Sequence, residues 1–379
     1  MLLPRADSPP NPFRTTLCVL AAIAVAGLAL GWNKGELPRH EPAVPAAVAP
    51  MSADRETSPD LQLYRAIIAD VRNGRDYYDS AEEHIPRFGF PIGSPLNWRL
   101  PTYAWLLSCL PNKCWIQAVL LLLGIASLGL AFAAERIRHG SGPAALTTLL
   151  LLGVFRWALD GEAYLAQEVW AGILLVISVS AHALGATSPR WRILAAAAGI
   201  LALTFRELAL PYCLVAGGLA LWHRRWFEAA LWSKGLALFT ALLVWHVLEV
   251  QERVGVQSAS GTGLAQWLRC GGLDFVLLTV RMNGLLFAAP AAVLWLYLVT
   301  SLFGLAQRHD ETSRLCCLSA LWYLVAFAFL GRPENFYWGL VYAPLLPWGI
   351  WPALSVLVAR EGCAPKKQLA PGGFEPSRS

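Results

Sequence analysis

"KCWIQAVLLLLGIASLGLAFAA", residues 113–134, runs straight into "ERIRHG", residues 135–140, and this junction decides the fold. The first segment is 22 residues with one charge, Lys113, at its start. A helix of about 20 apolar residues spans the roughly 30 Å hydrocarbon layer of a bilayer. The second segment is short and basic, as expected of a loop retained on the cytoplasmic side.

The same alternation repeats along the chain. Apolar stretches fall at 15–32, 113–134, 142–159, 169–186, 193–205, 208–222, 227–248, 287–306, 315–330 and 339–358, about ten spans in all. The stretches 193–205 and 208–222 are short and read either as two spans or as one broken helix. Only 15% of the 379 residues are charged, against about 25% in a soluble globular chain. No short alternating segments of the β-barrel kind occur. The expected class is therefore all-α: a polytopic transmembrane helical bundle.

Orientation follows from the positive-inside rule. With the N-terminus inside and 193–222 counted as two spans, "ERIRHG", "SPRWR" (188–192), "HRRW" (223–226) and "QRHDETSR" (307–314) share one side with the C-terminal tail. The acidic and longer loops fall on the other side. The net charge of +5 is thus spent on topology, and nothing points to nucleic acid. The 17 Trp crowd near span ends, as aromatic belts do. The expected organisation is a cytoplasmic N-terminus 1–14, an uncleaved first helix 15–32, an outer loop 33–112, a multi-span domain 113–358 and a cytoplasmic tail 359–379. The expected location is a bacterial inner (plasma) membrane, with both termini cytoplasmic. The eight cysteines show no CxxC or Cys/His metal spacing.

The outer loop begins with a Pro/Ala linker, "GELPRHEPAVPAAVAP" (35–50). Then "DLQLYRAIIADVRNG" (60–74) places Leu61, Tyr64, Ile67, Ile68 and Val71 at helical spacing, with Gly74 as a stop. Asp76 reads as the N-cap of a second short helix running to about His84, ended by Pro86 and Pro91. "SPLNWRLPTYAWLLSCLP" (94–111) returns the chain to the membrane.

Chemistry-bearing residues gather on the outer side. Asp76, Asp79, Glu82 and Glu83 form an acidic cluster. A carboxylate there can deprotonate an acceptor hydroxyl or help hold a divalent cation; the same pattern also describes a solvated helix face with its cap. Tyr77 and Tyr78 offer stacking surface for a sugar. Arg99 suits a lipid phosphate and equally a headgroup anchor. Arg206 and Glu207 divide two apolar stretches, where ionisable groups are costly; a half-solvated loop tip is the alternative. Arg332, Glu334, Asn335 and Tyr337 make "GRPENFYW" (331–338) more polar than a turn requires. No nucleotide-binding or HExxH motif is present.

On these residues a resemblance emerges. "GRDYYDSAEEHIPRFGFP" (74–91), "NWRLPTYAWLL" (97–107) and "RPENFYWGLVYAPLLPWG" (332–349) resemble a bacterial group associated with cell-surface glycopolymer formation. The distinctive positions are Gly74, Asp76, Tyr77, Tyr78, Gly89, Pro91, Arg99, Pro101, Thr102, Glu334, Asn335, Trp338 and Pro344. The layout is similar to the GT-C membrane glycosyltransferases. That resemblance implies transfer of a hexosyl or pentosyl unit from a polyprenyl-phosphate carrier to a glycan or lipid acceptor at the outer face. It implies Asp76 as the base and Arg99, Arg206 and Arg332 as phosphate partners. The linker sets the acidic cluster more than forty residues beyond the first span, farther than in many GT-C enzymes, so Asp79, Glu82 and Glu83 stay open beside Asp76. A transporter or flippase of glycolipid intermediates and a non-catalytic scaffold of a glycopolymer assembly complex are the other readings.

Overall fold

The computed structural model describes residues 58–93, 97–185, 187–255 and 271–361. The expected first helix 15–32, the linker 35–50 and most of the tail lie outside them. Every described element is helical. Two short helices open the described chain, α1 (Pro59–Arg72) and α2 (Tyr77–Arg87), followed by α3 (Pro101–Ser108). Then come α4 (Lys113–His139), α5 (Ser141–Phe155), α6 (Gln167–Leu184), α7 (Pro189–Phe205), α8 (Leu210–Trp222), α9 (Trp226–Val254), α10 (Gly272–Val280), α11 (Ala291–Gln307) and α12 (Glu311–Phe329). The chain closes with α13 (Gly339–Tyr342), two 3₁₀ turns, and α14 (Ile350–Glu361).

Six of these segments are long and apolar enough to cross a membrane: Lys113–His139, Ser141–Leu159, Gln167–Leu184, Trp226–Val254, Glu311–Phe329 and Pro333–Val356. Of the nine expected spans that fall among the described residues, three do not meet that measure. Glu207–Trp222 and Ala291–Gln307 are apolar but shorter, and α7 has 17 residues with two arginines in its first turn. Two of these three are the stretches that are short in sequence, 193–205 and 208–222; the third, α11, is shortened because it starts only after Pro290.

The core is central rather than layered. Nearly every residue of α6 is buried, whereas α4 and α9 sit at the perimeter and expose Leu122, Ile125, Leu238 and Leu248. Apolar side chains presented outward along full-length helices are what a lipid solvent permits. Close packing needs glycine where α11 crosses the turn before α14: a Cβ on Gly304 would stand 1.8 Å from the Gly349 carbonyl oxygen.

The question raised by 193–222 is settled by a reversal. Cys213 Sγ lies 3.3 Å from the Gly199 carbonyl oxygen. In one continuous helix those residues would be about 21 Å apart. So α7 and α8 form a hairpin, with Trp232 of α9 packed against Gly199 and Gly217, one from each arm.

Charged groups of the described loops gather at two ends. At one end Arg138 pairs with Asp310, Arg225 with Glu311 (2.6 Å) and His182 with Glu228 (3.4 Å). At the other end α1, α2 and α3 meet the α5–α6 connection and the C-terminal end of α9: Arg65 pairs with Glu162, and Arg253 with Asp79 (3.0 Å).

Candidate functional site

The polar groups at the second end converge where α1, the α3 entry, the α6 start and the α7–α8 tip meet. Each arrives by a local rule. Pro59 occupies the first turn of α1, where a missing N–H costs nothing, and Asp60 follows in that turn. On the same helix Leu63, Ile67 and Ile68 are buried, which turns Tyr64 inward beside them. Glu168 sits in the first turn of α6, where the helix dipole favours a carboxylate. Arg206 caps α7 in an extended conformation, φ −147°, breaking the helix so that its side chain turns back into the protein.

Arg206 is only 2% exposed. Its Nε lies 2.7 Å from Glu168 Oε1 and its Nη1 3.6 Å from Glu207 Oε2. The Nε contact is an ion pair off hydrogen-bond alignment. Arg99 donates from Nε to the Tyr64 hydroxyl at 3.1 Å. Burial opposes the charge on Arg99, but its neighbours Tyr64, Glu207 and Tyr337 more than offset this, so its pKa is raised and the guanidinium stays charged. Burial raises the pKa of Asp60, opposed by Arg99 and Arg206 and reinforced by Glu168. Asp60, Tyr64, Arg99, Glu168, Arg206, Glu207 and Tyr337 therefore form one electrostatic neighbourhood.

Of the residues expected from sequence, Arg99, Arg206, Glu207 and Tyr337 are brought together. Arg332, Glu334 and Asn335 lie on the segment that carries Tyr337; Glu334 is exposed and Asn335 Oδ1 stands 3.5 Å from the Tyr337 hydroxyl. The acidic cluster sits elsewhere. Asp76 caps α2 as expected, accepting the Tyr78 and Asp79 N–H groups at 2.8 and 3.2 Å. Its carboxylate is half exposed and, with Asp79 and Glu82, faces Arg253 at the end of α9. Glu83 pairs with Arg75 at 2.7 Å. Among the described residues no three His, Cys, Asp or Glu side chains are grouped to hold a metal ion. Pro86 falls inside the last turn of α2 rather than ending it.

Tyr77 and Tyr78 are each 3% exposed, so neither ring presents a face for a sugar to stack on. Tyr78 contacts His246 Nδ1 at 3.0 Å and pins α2 to α9. Asp60, Tyr64 and Glu168 were not singled out from the sequence as site residues. The available signals were weak: an acid just after the Pro at the start of α1, and an acid at the mouth of the apolar run that becomes α6.

Fold and site together define a polytopic helical membrane protein with a buried, charged site at one end of its bundle. Among solved structures it is similar to ArnT from Cupriavidus metallidurans bound to undecaprenyl phosphate, with 13% identity and a TM-score of 0.48 over 92% of this chain and 64% of that one. It is likewise similar to the same protein in the apo state, with 14% identity and a TM-score of 0.47 over 91% and 60%. The chain thus spans less than two thirds of the length of those structures. No protein-family model matches the chain. No curated protein matches it.

Proposed function

We propose that the protein is a membrane glycosyltransferase of the inner (plasma) membrane that moves a sugar from a polyprenyl-phosphate carrier to a glycan or lipid acceptor on the outer face. The observation that carries this reading is the burial of Arg206 against Glu168, with Arg99 and Asp60 in the same neighbourhood. A paired, oriented cation is costly to bury and is suited to a phosphate that arrives from the lipid. In the transfer, the acceptor oxygen bonds to the anomeric carbon as the bond from that carbon to the carrier phosphate breaks. Arg99 and Arg206 take up the charge that develops on the departing polyprenyl phosphate.

The acceptor proton needs a base. Asp60 fits that role better than Asp76: it lies among the arginines and burial raises its pKa, whereas the Asp76 carboxylate is occupied in capping α2. The hairpin at Arg206 weighs against the transporter reading, because the break lies at a reversal and not within a discontinuous spanning helix.

The test is binding of a C55 polyprenyl phosphate to the purified protein in lipid nanodiscs. Saturable binding by the wild type, lost in Arg206→Ala and weakened in Arg99→Ala, supports the reading. Equal binding by all three proteins refutes it.

A further inference from the structure

Arg99 adopts φ +35°, a left-handed conformation that a side-chain-bearing residue rarely takes and that persists only where its surroundings enforce it. The surroundings are unusually explicit. The Tyr77 hydroxyl stands 2.7 Å from the Trp98 carbonyl oxygen and 2.7 Å from the Arg99 carbonyl oxygen. In an extended chain successive carbonyls point to opposite sides; the turn at Arg99 brings both round to one hydroxyl. A phenol has one hydrogen to give, so the two carbonyls share it. Trp98, 1% exposed, is held in turn by its Nε1 donating to the Ile92 carbonyl at 2.8 Å. Pro101 follows two residues on and opens α3, and the intervening Leu100 takes the extended backbone expected before proline.

We propose that Tyr77 is a positioning residue: its hydroxyl fixes the left-handed backbone at Arg99 and so aims the Arg99 guanidinium at Tyr64 and the carrier phosphate. This rests on the function proposed above and deepens it. The ring acts from beneath, through the backbone, and touches no substrate. A sugar-stacking role would require exposure that the ring lacks; positioning requires the burial that it has. The arrangement also explains why a tyrosine occupies the first position of α2: that helix is oriented by its Asp76 cap and by the Tyr78–His246 contact, and the hydroxyl reaches the turn only if α2 is held so.

The experiment is a double-mutant cycle read in affinity for C55 polyprenyl phosphate, using the full chain in nanodiscs. Tyr77→Phe removes only the hydroxyl and keeps the ring's packing. Expected is a loss of affinity of up to about tenfold in the wild-type background, the worth of one such hydrogen bond. In the Arg99→Ala background, Tyr77→Phe should cause no further loss. A Tyr77→Phe loss of equal size in both backgrounds, or none in either, overturns the inference while leaving the carrier reading intact. If the wild type itself fails to bind, the carrier reading falls. The positioning inference is then judged on the ¹⁵N resonance of the Arg99 Nε–H, assigned by its absence in Arg99→Lys. A shift or broadening of that resonance in Tyr77→Phe supports positioning; an unchanged resonance overturns it.

Discussion

Replacing Arg206 with Met should separate what the buried ion pair does for stability from what it does for function. The Arg206 side chain is 2% exposed and that of Glu168 8%. Removing the arginine alone leaves Glu168 buried without its 2.7 Å partner and near Glu207, which Arg206 also bridges at 3.6 Å. Breaking a buried pair from one side costs about 3–5 kcal/mol, because the stranded charge keeps its desolvation penalty. Removing both charges with Arg206→Met and Glu168→Met removes that penalty too, and such replacements are often neutral or stabilising. The partly exposed Glu207, 32% accessible, remains solvated. The assay is equilibrium unfolding in mixed micelles followed by circular dichroism. The single variant should lose about 3–5 kcal/mol and the double variant less than about 1 kcal/mol, while neither binds polyprenyl phosphate. A double variant as unstable as the single one, or a single variant of unchanged stability, would refute the claim that Glu168 is stranded.

Four further outcomes are expected. Asp60→Asn should abolish sugar transfer while the protein still inserts and binds polyprenyl phosphate; loss of binding instead would assign Asp60 to the phosphate site. The raised pKa of Asp60 means that the folded protein holds this proton more tightly than the unfolded chain. Its contribution to stability is therefore present at low pH and is lost as pH rises through its folded-state value, above the ordinary 3.8. Transfer should rise over that same interval, and the rise should vanish if another carboxylate is the base. Asp76→Ala should cost about 0.5–2 kcal/mol by removing the α2 cap and, by loosening the hold on Tyr77, should weaken transfer without abolishing it; complete loss of transfer in a folded Asp76→Ala protein would restore Asp76 as the base. Gly304→Ala places a Cβ 1.8 Å from the Gly349 carbonyl oxygen and should destabilise the bundle by about 1–3 kcal/mol, read as a lowered unfolding midpoint.

What the sequence made legible was what local physics controls. Asp76 could be read as an N-cap because its partners are two and three residues away, and Gly74, at φ +87°, as the stop of α1. Loops 135–140, 223–226 and 307–314 share basic residues in sequence, and Arg138–Asp310 and Arg225–Glu311 join them in the structure. The break at Arg206 was visible, but its pairing with Glu168 was not: 38 positions separate them, and only the packing of α6 against α7 joins them. Asp60 was overlooked because an acid in a first helical turn looks like ordinary dipole compensation until burial is known. Tyr77 and Tyr78 failed as a sugar platform for a related reason: two adjacent aromatics beside four acids read as surface, and the amphipathic α2 turns them under.

Comparing the affinity of the protein for C55 polyprenyl phosphate with that for the C55 polyprenol lacking the phosphate tests the proposed function most directly, since the two ligands differ only in the group that Arg99 and Arg206 are assigned to hold. Expected is at least about tenfold tighter binding of the phosphate, worth about 1.4 kcal/mol, with the difference erased in the Arg99→Ala, Arg206→Ala double variant. Equal affinity of the wild type for the two lipids would contradict it.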